Sequence, residues 1–302
     1  MVVVLAGGSG GAKLARGLYD VLGPGRLTAV VNTADDVEAH GVHVSPDPDL
    51  VTYWLSGAID EERGYGIEDD TWEVMAALEA AGRPAWFRLG DRDLAMCLIR
   101  TELLRDGERL TVAHAEVVRG LGVQAQVLPM CDQPVRTHVR RDGLWRAFQE
   151  FMILDRAEGT IEEVAFHGAE HARITPEVRD ALAHAEAIVV GPSNPVISIG
   201  PILAVPGMRE TIAASPAPVL AVSPFVAGRA VKGPTDAFCE HAGIGLGAEG
   251  IARHYEGLLD GLVADEAADG VRTAQTDTLM DTDAARRRVA SFILEFAAGL
   301  AG

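Results

Sequence analysis

The chain opens with an apolar run, Met1 to Leu5, that passes straight into Gly7-Gly8-Ser9-Gly10-Gly11 and then Lys13. Four glycines in five residues at a strand-to-helix turn remove side chains where the backbone must come close to something. Beyond the turn, Ala12 to Leu22 places Leu14, Leu18, Val21 and Leu22 at helical spacing. Backbone N–H groups at such a turn and at a helix N-terminus together make an anion site. The sequence therefore predicts a phosphate-bearing ligand held by Gly7, Gly8, Ser9, Gly10, Gly11 and Lys13, at the edge of an α/β sheet. A tight turn with no ligand is the alternative.

Two common phosphate motifs do not fit. Leu14 follows Lys13, so no Ser or Thr stands ready to hold magnesium as in a P-loop. Lys13 also occupies the place of the third glycine in the dinucleotide fingerprint, which disfavours a nicotinamide-dependent oxidoreductase. The lysine itself is informative. The chain carries 26 basic residues, and only Lys13 and Lys232 are lysines, each close to glycine. A compact ammonium suits phosphate oxygens, so Lys232 is a second candidate phosphate ligand.

Composition narrows the function classes. At 302 residues and 48% hydrophobic, the chain can bury one large core or a core plus an insertion. Its net charge of −18 disfavours general binding to nucleic acid, whose phosphates such a surface repels. No apolar run suggests a membrane span or a leader, and Cys97, Cys131 and Cys239 are widely spaced. These features predict a cytoplasmic protein with reduced thiols. An acidic protein that takes an anionic nucleotide needs local positive charge, and a divalent cation held by carboxylates supplies it.

Strand, glycine loop, helix and strand over Val2–Leu5, Ala12–Leu22 and Leu27–Val31 give a βαβ start and parallel strands. Helices are predicted over Asp49–Leu55, Asp70–Ala81, Asp91–Leu104 and Thr111–Leu121, with Asp70 as an N-cap. Strand character returns at Gln126–Leu128, Val135–Val139 and Val164–Phe166, and α/β alternation resumes to a last helix at Asp283–Ala298. The predicted fold is α/β, a Rossmann-like parallel sheet flanked by helices. Residues 1–48 and 123–302 form its core, and residues 49–122 form a helical insertion. The loops after Leu5, Val190 and Val222 should line one crevice, where Ser193 and Asn194 suit the edge of a base.

The segment Asn32 to Asp49 is dense in polar groups: Asn32, Asp35, Asp36, His40, His43, Ser45, Asp47 and Asp49. Hard cations such as magnesium take one or two carboxylates plus substrate phosphates, and Asp36 and Asp49 are the candidates. The same carboxylates also suit helix N-termini. His40 and His43 lack a metal-ligand pattern and read as structural. In Trp86–Asp93, aromatic rings beside Arg88 suit a flat heterocycle, while the plainer reading makes Asp91 a helix cap and pairs Asp93 with Arg92.

Several blocks together resemble the 2-phospho-lactate transferase and phosphoenolpyruvate transferase family of deazaflavin coenzyme F-420 biosynthesis. They are Leu5–Leu14, Val31–Asp36, His40–Asp47, Trp86–Leu94, Gly191–Pro195, Ser198–Pro206 and Ala230–Pro234. Residues from about Asp265 onward carry no recognised block. The resemblance implies transfer of a phospho-acid unit from a guanosine diphosphate conjugate to the ribityl hydroxyl of 7,8-didemethyl-8-hydroxy-5-deazariboflavin, with release of GMP. It also implies magnesium and a homodimer. The family's deazaflavin contacts map onto Asp49 and Arg88, and archaeal members tend to carry lysine where Arg88 stands. On this reading Asp36 and Asp49 are catalytic and hold magnesium, and Asp49→Ala loses catalysis with the fold intact. The donor's acid, phosphoenolpyruvate, 2-phospholactate or 3-phosphoglycerate, stays open. A gluconeogenesis-factor-like regulatory protein that binds a nucleotide-sugar is the rival, sharing the glycine loop and the Asn-x-x-Asp-Asp segment.

Overall fold

Val2–Ala6 (β1) is buried along its whole length, as an apolar run must be when helices cover both faces of a parallel sheet. Val3 and Leu5 join one core cluster, whereas Val2, Val4 and Ala6 join another. That is the two-residue period of a strand with a core on each side. The structure is a computed structural model and describes residues 1–231 and 233–301. Lys232, expected to bind phosphate, lies outside the described residues.

After β1 come α1 (Gly8–Leu22) and β2 (Leu27–Val31), then a hairpin of β3 (Val37–Ala39) and β4 (Val42–Val44). Four helices follow: α2 (Pro46–Ser56), α3 (Glu73–Ala80), α4 (Asp91–Arg105) and α5 (Leu110–Gly120). The chain continues through β5 (Gln126–Pro129), β6 (Arg136–Arg141), β7 (Leu144–Ala147), α6 (Phe148–Ile153), β8 (Glu163–His167), α7 (Pro176–Ala183) and β9 (Ala187–Val190). Then come α8 (Ile199–Ala204), α9 (Met208–Ala213), β10 (Val219–Val222), β11 (Phe225–Val226) and β12 (Arg229–Ala230). The last elements are α10 (Thr235–His241), α11 (Ala248–His254), β13 (Gly261–Ala264), β14 (Arg272–Gln275) and α12 (Asp283–Leu300).

The main sheet has seven parallel strands in the order β14-β13-β10-β9-β1-β2-β5. The chain winds outward from β1 through β2 to β5, then returns to β9 on the other side. This reversal between β1 and β9 is the topological switch point at which open α/β sheets bind ligands. The α/β class and the parallel sheet thus agree with the sequence. Helices α1, α2 and α12 contribute to the core on one face, with Leu14 and Leu18 of α1 fully buried. Gly17 lets α12 come close, because a Cβ there would lie 2.4 Å from the Arg286 carbonyl oxygen.

Local differences from the sequence reading have physical causes. Helix α1 begins at Gly8 rather than Ala12, so the glycines form its first turn. Helix α2 puts Val51, Tyr53, Trp54 and Leu55 into the main core, so it does not belong to the insertion. The separate helical block starts later, where α3, α4 and the β3–β4 hairpin share Met75, Cys97, Val42 and Val44 in their own cluster. Asp70 does not cap α3: the N–H groups of Glu73 and Val74 donate to Asp91 instead. The hairpin itself was not anticipated, although His40 and Gly41 both take positive φ, as a two-residue hairpin turn requires. The edge strand β14, Arg-Thr-Ala-Gln, is too polar to announce itself.

Candidate functional site

At the switch point a cavity of about 460 Å³ opens between the loops that follow the strands. Gly7, Gly8, Ser9, Gly10 and Lys13 line it after β1, Pro192, Ser193 and Asn194 after β9, and Ser223 and Pro224 after β10. The three loops expected to share a crevice do so. Phe148, Gln149 and Met152 add a wall from α6, and Thr278 to Asp281 add another from the segment before α12.

Backbone packing accounts for several of the glycines. A Cβ at Gly10 would lie 2.1 Å from the Pro192 carbonyl oxygen, and one at Gly11 would lie 2.5 Å from Ser193 Oγ. The first turn of α1 is therefore pressed against the loop after β9. Gly7 N–H donates to Ser193 Oγ at 3.2 Å, and Gly8 N–H donates to Asp47 Oδ1 at 2.8 Å. Asn194 Oδ1 accepts from the N–H groups of Val196 and Ile197 in its own loop at 2.9 and 3.2 Å, and its Nδ2 donates to Thr235 Oγ1 at 3.4 Å. Ser193 and Asn194 thus line the cavity, yet both side chains hold backbone in place.

Asp35, Asp47 and Asp281 are the carboxylates that line the cavity, and Asp47 reaches the glycine turn at Gly8. Asp47 Oδ2 accepts from Asn32 Nδ2 at 3.0 Å, while its Oδ1 takes the Gly8 N–H. Burial pushes Asp47 up to about 6, against the pull of those two hydrogen bonds. Asp35 stands well above the usual carboxylate range, through burial first and the charge of Asp47 second. Its Oδ1 is buried and has no hydrogen-bond partner. Two buried carboxylates that repel each other, one with an orphaned oxygen, favour either a proton or a cation between them.

Asp36 and Asp49, the carboxylates chosen from the sequence, do not line this cavity, because protein groups occupy both. Asp36 accepts from Ser45 Oγ at 2.7 Å and lies 2.9 Å from His43 Nε2. Burial works against a proton on His43, but the Asp36 hydrogen bond and charge outweigh it and raise its pKa. Asp49 takes a two-pronged pair from Arg100, with Nη1–Oδ1 2.6 Å and Nη2–Oδ2 2.7 Å, and both residues are buried. Asp49, Asp93 and Cys97 do stand within 4.8 Å of one another. Arg100 already neutralises Asp49, however, and Tyr53 donates to Asp93 at 2.7 Å. His40 packs as a structural residue, its Nε2 2.6 Å from the Phe87 carbonyl oxygen.

Helix geometry explains which aspartates point inward. Asp47 and Asp49 are two residues apart on α2, about 200° around its axis, so they face opposite sides. Pro46 at the helix start sets Asp47 against the glycine turn and sends Asp49 toward Arg100. Asp35 and Asp36 diverge within a turn closed by Asp36 N–H on the Thr33 carbonyl oxygen. The helical phase of Asp47 was readable from Pro46; the direction of Asp35 was not.

Arg88 is half-exposed in the helical block, bonded to Glu79 at 2.7 Å and lying 5.4 Å over the Trp72 ring. It does not line the cavity. Lys13 does, with its Nζ 3.3 Å from Asp281 Oδ1. No helix among the described residues is long and apolar enough to cross a membrane.

Comparison with known proteins agrees with this architecture. The profile of the family described as 2-phospho-L-lactate transferase CofD matches residues 2–293. A phosphoenolpyruvate transferase of Kitasatospora aureofaciens is 43% identical over 275 residues, covering 88% of this chain and 85% of that protein. A 2-phospho-L-lactate transferase of Methanosarcina mazei is 37% identical over 303 residues, covering 97% of this chain and 99% of that protein. A solved structure of a Bacillus halodurans protein, described as a member of the upf0052 family, aligns with TM-score 0.64 at 20% identity. That alignment covers 97% of this chain and 98% of the other, and at that identity it shows the fold alone. With a family profile spanning nearly the whole sequence and full-length relatives at this identity, the chain belongs to the 2-phospho-L-lactate transferase CofD family, transferases of coenzyme F-420 biosynthesis.

Proposed function

We propose that this transferase moves a phosphoenolpyruvyl or 2-phospholactyl unit from its guanosine diphosphate conjugate to the terminal ribityl hydroxyl of 7,8-didemethyl-8-hydroxy-5-deazariboflavin, releasing GMP. The observation that carries this reading is the pair Asp35 and Asp47, which line the switch-point cavity beside the glycine turn. The orphaned Asp35 Oδ1 and the raised proton affinity of both carboxylates fit a divalent cation. Asp35 and Asp47 would hold magnesium, which would supply the positive charge that the transferring phosphate requires.

The chain's own groups have definable tasks. The first turn of α1 and Lys13 hold the diphosphate, and the apolar side chains of Phe148 and Met152 cover the nucleoside. The ribityl oxygen attacks the phosphorus bearing the acid, and a new P–O bond forms. The P–O bond to GMP breaks, and the hydroxyl proton passes to the carboxylate of Asp35. Such transfer depends mainly on positioning and charge stabilisation. Arg88 is the proposed contact for the deazaflavin ring, and Asp49 acts indirectly by fixing Arg100. The relatives called phosphoenolpyruvate transferase favour the phosphoenolpyruvyl donor. A homodimer and a cytoplasmic location complete the proposal.

A fluorescence titration of the deazaflavin, with and without GDP and magnesium, tests the reading. Saturable binding strengthened by the nucleotide is expected, followed by turnover with the synthetic conjugate. Folded protein that binds a nucleotide-sugar but neither deazaflavin nor GDP would overturn it in favour of a regulatory binding protein.

A further inference from the structure

The segment between β14 and α12, residues 276–282, matches no motif in the sequence, yet it forms a cavity wall through Thr278, Leu279, Met280 and Asp281. Arg288 of α12 fastens it from behind. Its guanidinium donates to the Asp277 carbonyl oxygen at 2.6 Å, the Asp277 carboxylate at 3.1 Å and the Leu279 carbonyl oxygen at 3.3 Å. Thr276 N–H donates to the Ala264 carbonyl oxygen at 2.8 Å, which ties the segment to β13. A segment fastened in this way presents its remaining polar atoms in fixed positions.

Two residues of this wall, Thr278 and Asp281, carry such atoms. Thr278 is 5% exposed, and its Oγ1 is buried without a hydrogen-bond partner. A buried hydroxyl left unpaired is costly, so a ligand that draws it toward the cavity would supply the acceptor it lacks. The second is Asp281, whose carboxylate meets Lys13 Nζ at 3.3 Å while remaining 68% exposed. Lys13 is the one basic side chain among the described residues lining the cavity, in a chain of net charge −18. The pairing of Lys13 therefore bears on how the cavity meets a phosphate.

We propose that segment 276–282 is part of the diphosphate site, with Thr278 donating its hydroxyl to a phosphate oxygen and Asp281 competing with the phosphate for Lys13. The proposal rests on reading the cavity as the site of the donor's diphosphate. An exposed lysine–carboxylate pair is weak, and a diphosphate carries more charge and forms charge-assisted bonds, so it displaces Asp281. Asp281 thereby sets a threshold: weakly charged anions leave the pair closed, and a diphosphate opens it. It is a positioning residue that acts through Lys13.

Calorimetric titration of GDP and of inorganic pyrophosphate into the wild type, Asp281→Asn, Lys13→Met, the corresponding double variant and Thr278→Val tests this. Asp281→Asn is expected to bind both probes about two- to five-fold more tightly. That gain should vanish in the Lys13→Met background, as coupling through Lys13 requires. Thr278→Val is expected to bind about tenfold more weakly while its thermal midpoint holds or rises, because an unpaired buried hydroxyl has been removed. A merely structural threonine would not separate the two readouts. Unchanged binding in Thr278→Val, or an Asp281→Asn effect that is absent, reversed or independent of Lys13, overturns the proposal. If the wild type binds pyrophosphate but not GDP, the guanosine donor falls, and the variants still judge the segment through pyrophosphate. Binding of neither probe defeats both.

Discussion

Asp70 caps the helix that begins at Asp91, and Asp91 caps the helix that follows Asp70. The N–H groups of Arg92 and Asp93 donate to Asp70 at 2.9 and 3.1 Å, and those of Glu73 and Val74 donate to Asp91 at 3.0 Å each. Each negative charge lies at the positive end of the other's helix. Gly90 permits the approach, since a Cβ there would lie 2.1 Å from Asp70 Oδ2. The exchange ties α3 to α4. Asp70→Ala is expected to cost about 1 kcal/mol of stability, read from urea unfolding, and Asp91→Ala is expected to destabilise in the same direction. Asp91 is held below the usual carboxylate range by the Thr71 hydroxyl and the two N–H groups. Its contribution is therefore present above its unfolded pKa and lost as the pH falls.

Asp49→Ala is expected to fail as a clean catalytic knockout. The substitution strands the buried guanidinium of Arg100, and breaking such a pair costs about 3–5 kcal/mol. Circular dichroism melting should show a large drop in midpoint before any activity assay is interpretable. Asp49→Asn keeps an acceptor for Arg100 and should lose less. A wild-type melting curve for Asp49→Ala would refute the structural role given to this pair.

The catalytic weight should fall on Asp35 and Asp47. Asp47→Asn and Asp35→Asn are each expected to lower kcat at least ~100-fold, with folding intact, because each removes one of two repelling buried charges. Chelation of magnesium should abolish turnover in the wild type, and added magnesium should restore it. Asp36→Asn, by comparison, should weaken the contact with His43 and reduce stability more than kcat.

Asp93 provides a pH test. Burial, then the charge of Asp49, pushes it up to about 7, although the Tyr53 hydrogen bond lowers it. A carboxyl whose folded pKa exceeds its unfolded value binds its proton more tightly in the native state. Its effect on stability is most favourable below about pH 4 and is lost as the pH rises toward 7. Asp93→Asn should therefore be more stable than the wild type above pH 7 and gain less near pH 5, as denaturant midpoints across that range would show. A constant difference would show that Asp93 does not titrate there.

Much of this arrangement was legible in the residues. Val2 to Leu5, the glycine run and the loops after Val190 and Val222 foretold the crevice, because buried apolar strands and turn-forming residues act locally. The choice among aspartates was not legible in the same way. Asp35, Asp36, Asp47 and Asp49 are chemically alike, and only the phase of α2 and a distant partner, Arg100, separate inward from occupied carboxylates. Asp70 and Asp91 changed places for a similar reason: a cap is chosen by which helices meet, not by which residue comes next in the chain. Thr278 and Asp281 gave no local sign, since their importance arises from a fold that brings β14 and α12 back to α1.

Lys13 and Asp281 lie 268 positions apart and meet across one cavity. The glycine turn follows the first strand, whereas the wall containing Thr278 and its fastening residue Arg288 follows every strand of the sheet. The cavity therefore has its full wall only when α12 packs back against α1. Proteolytic removal of α12 would leave that wall without its fastening at Arg288 and put at risk the contact between Asp281 and Lys13.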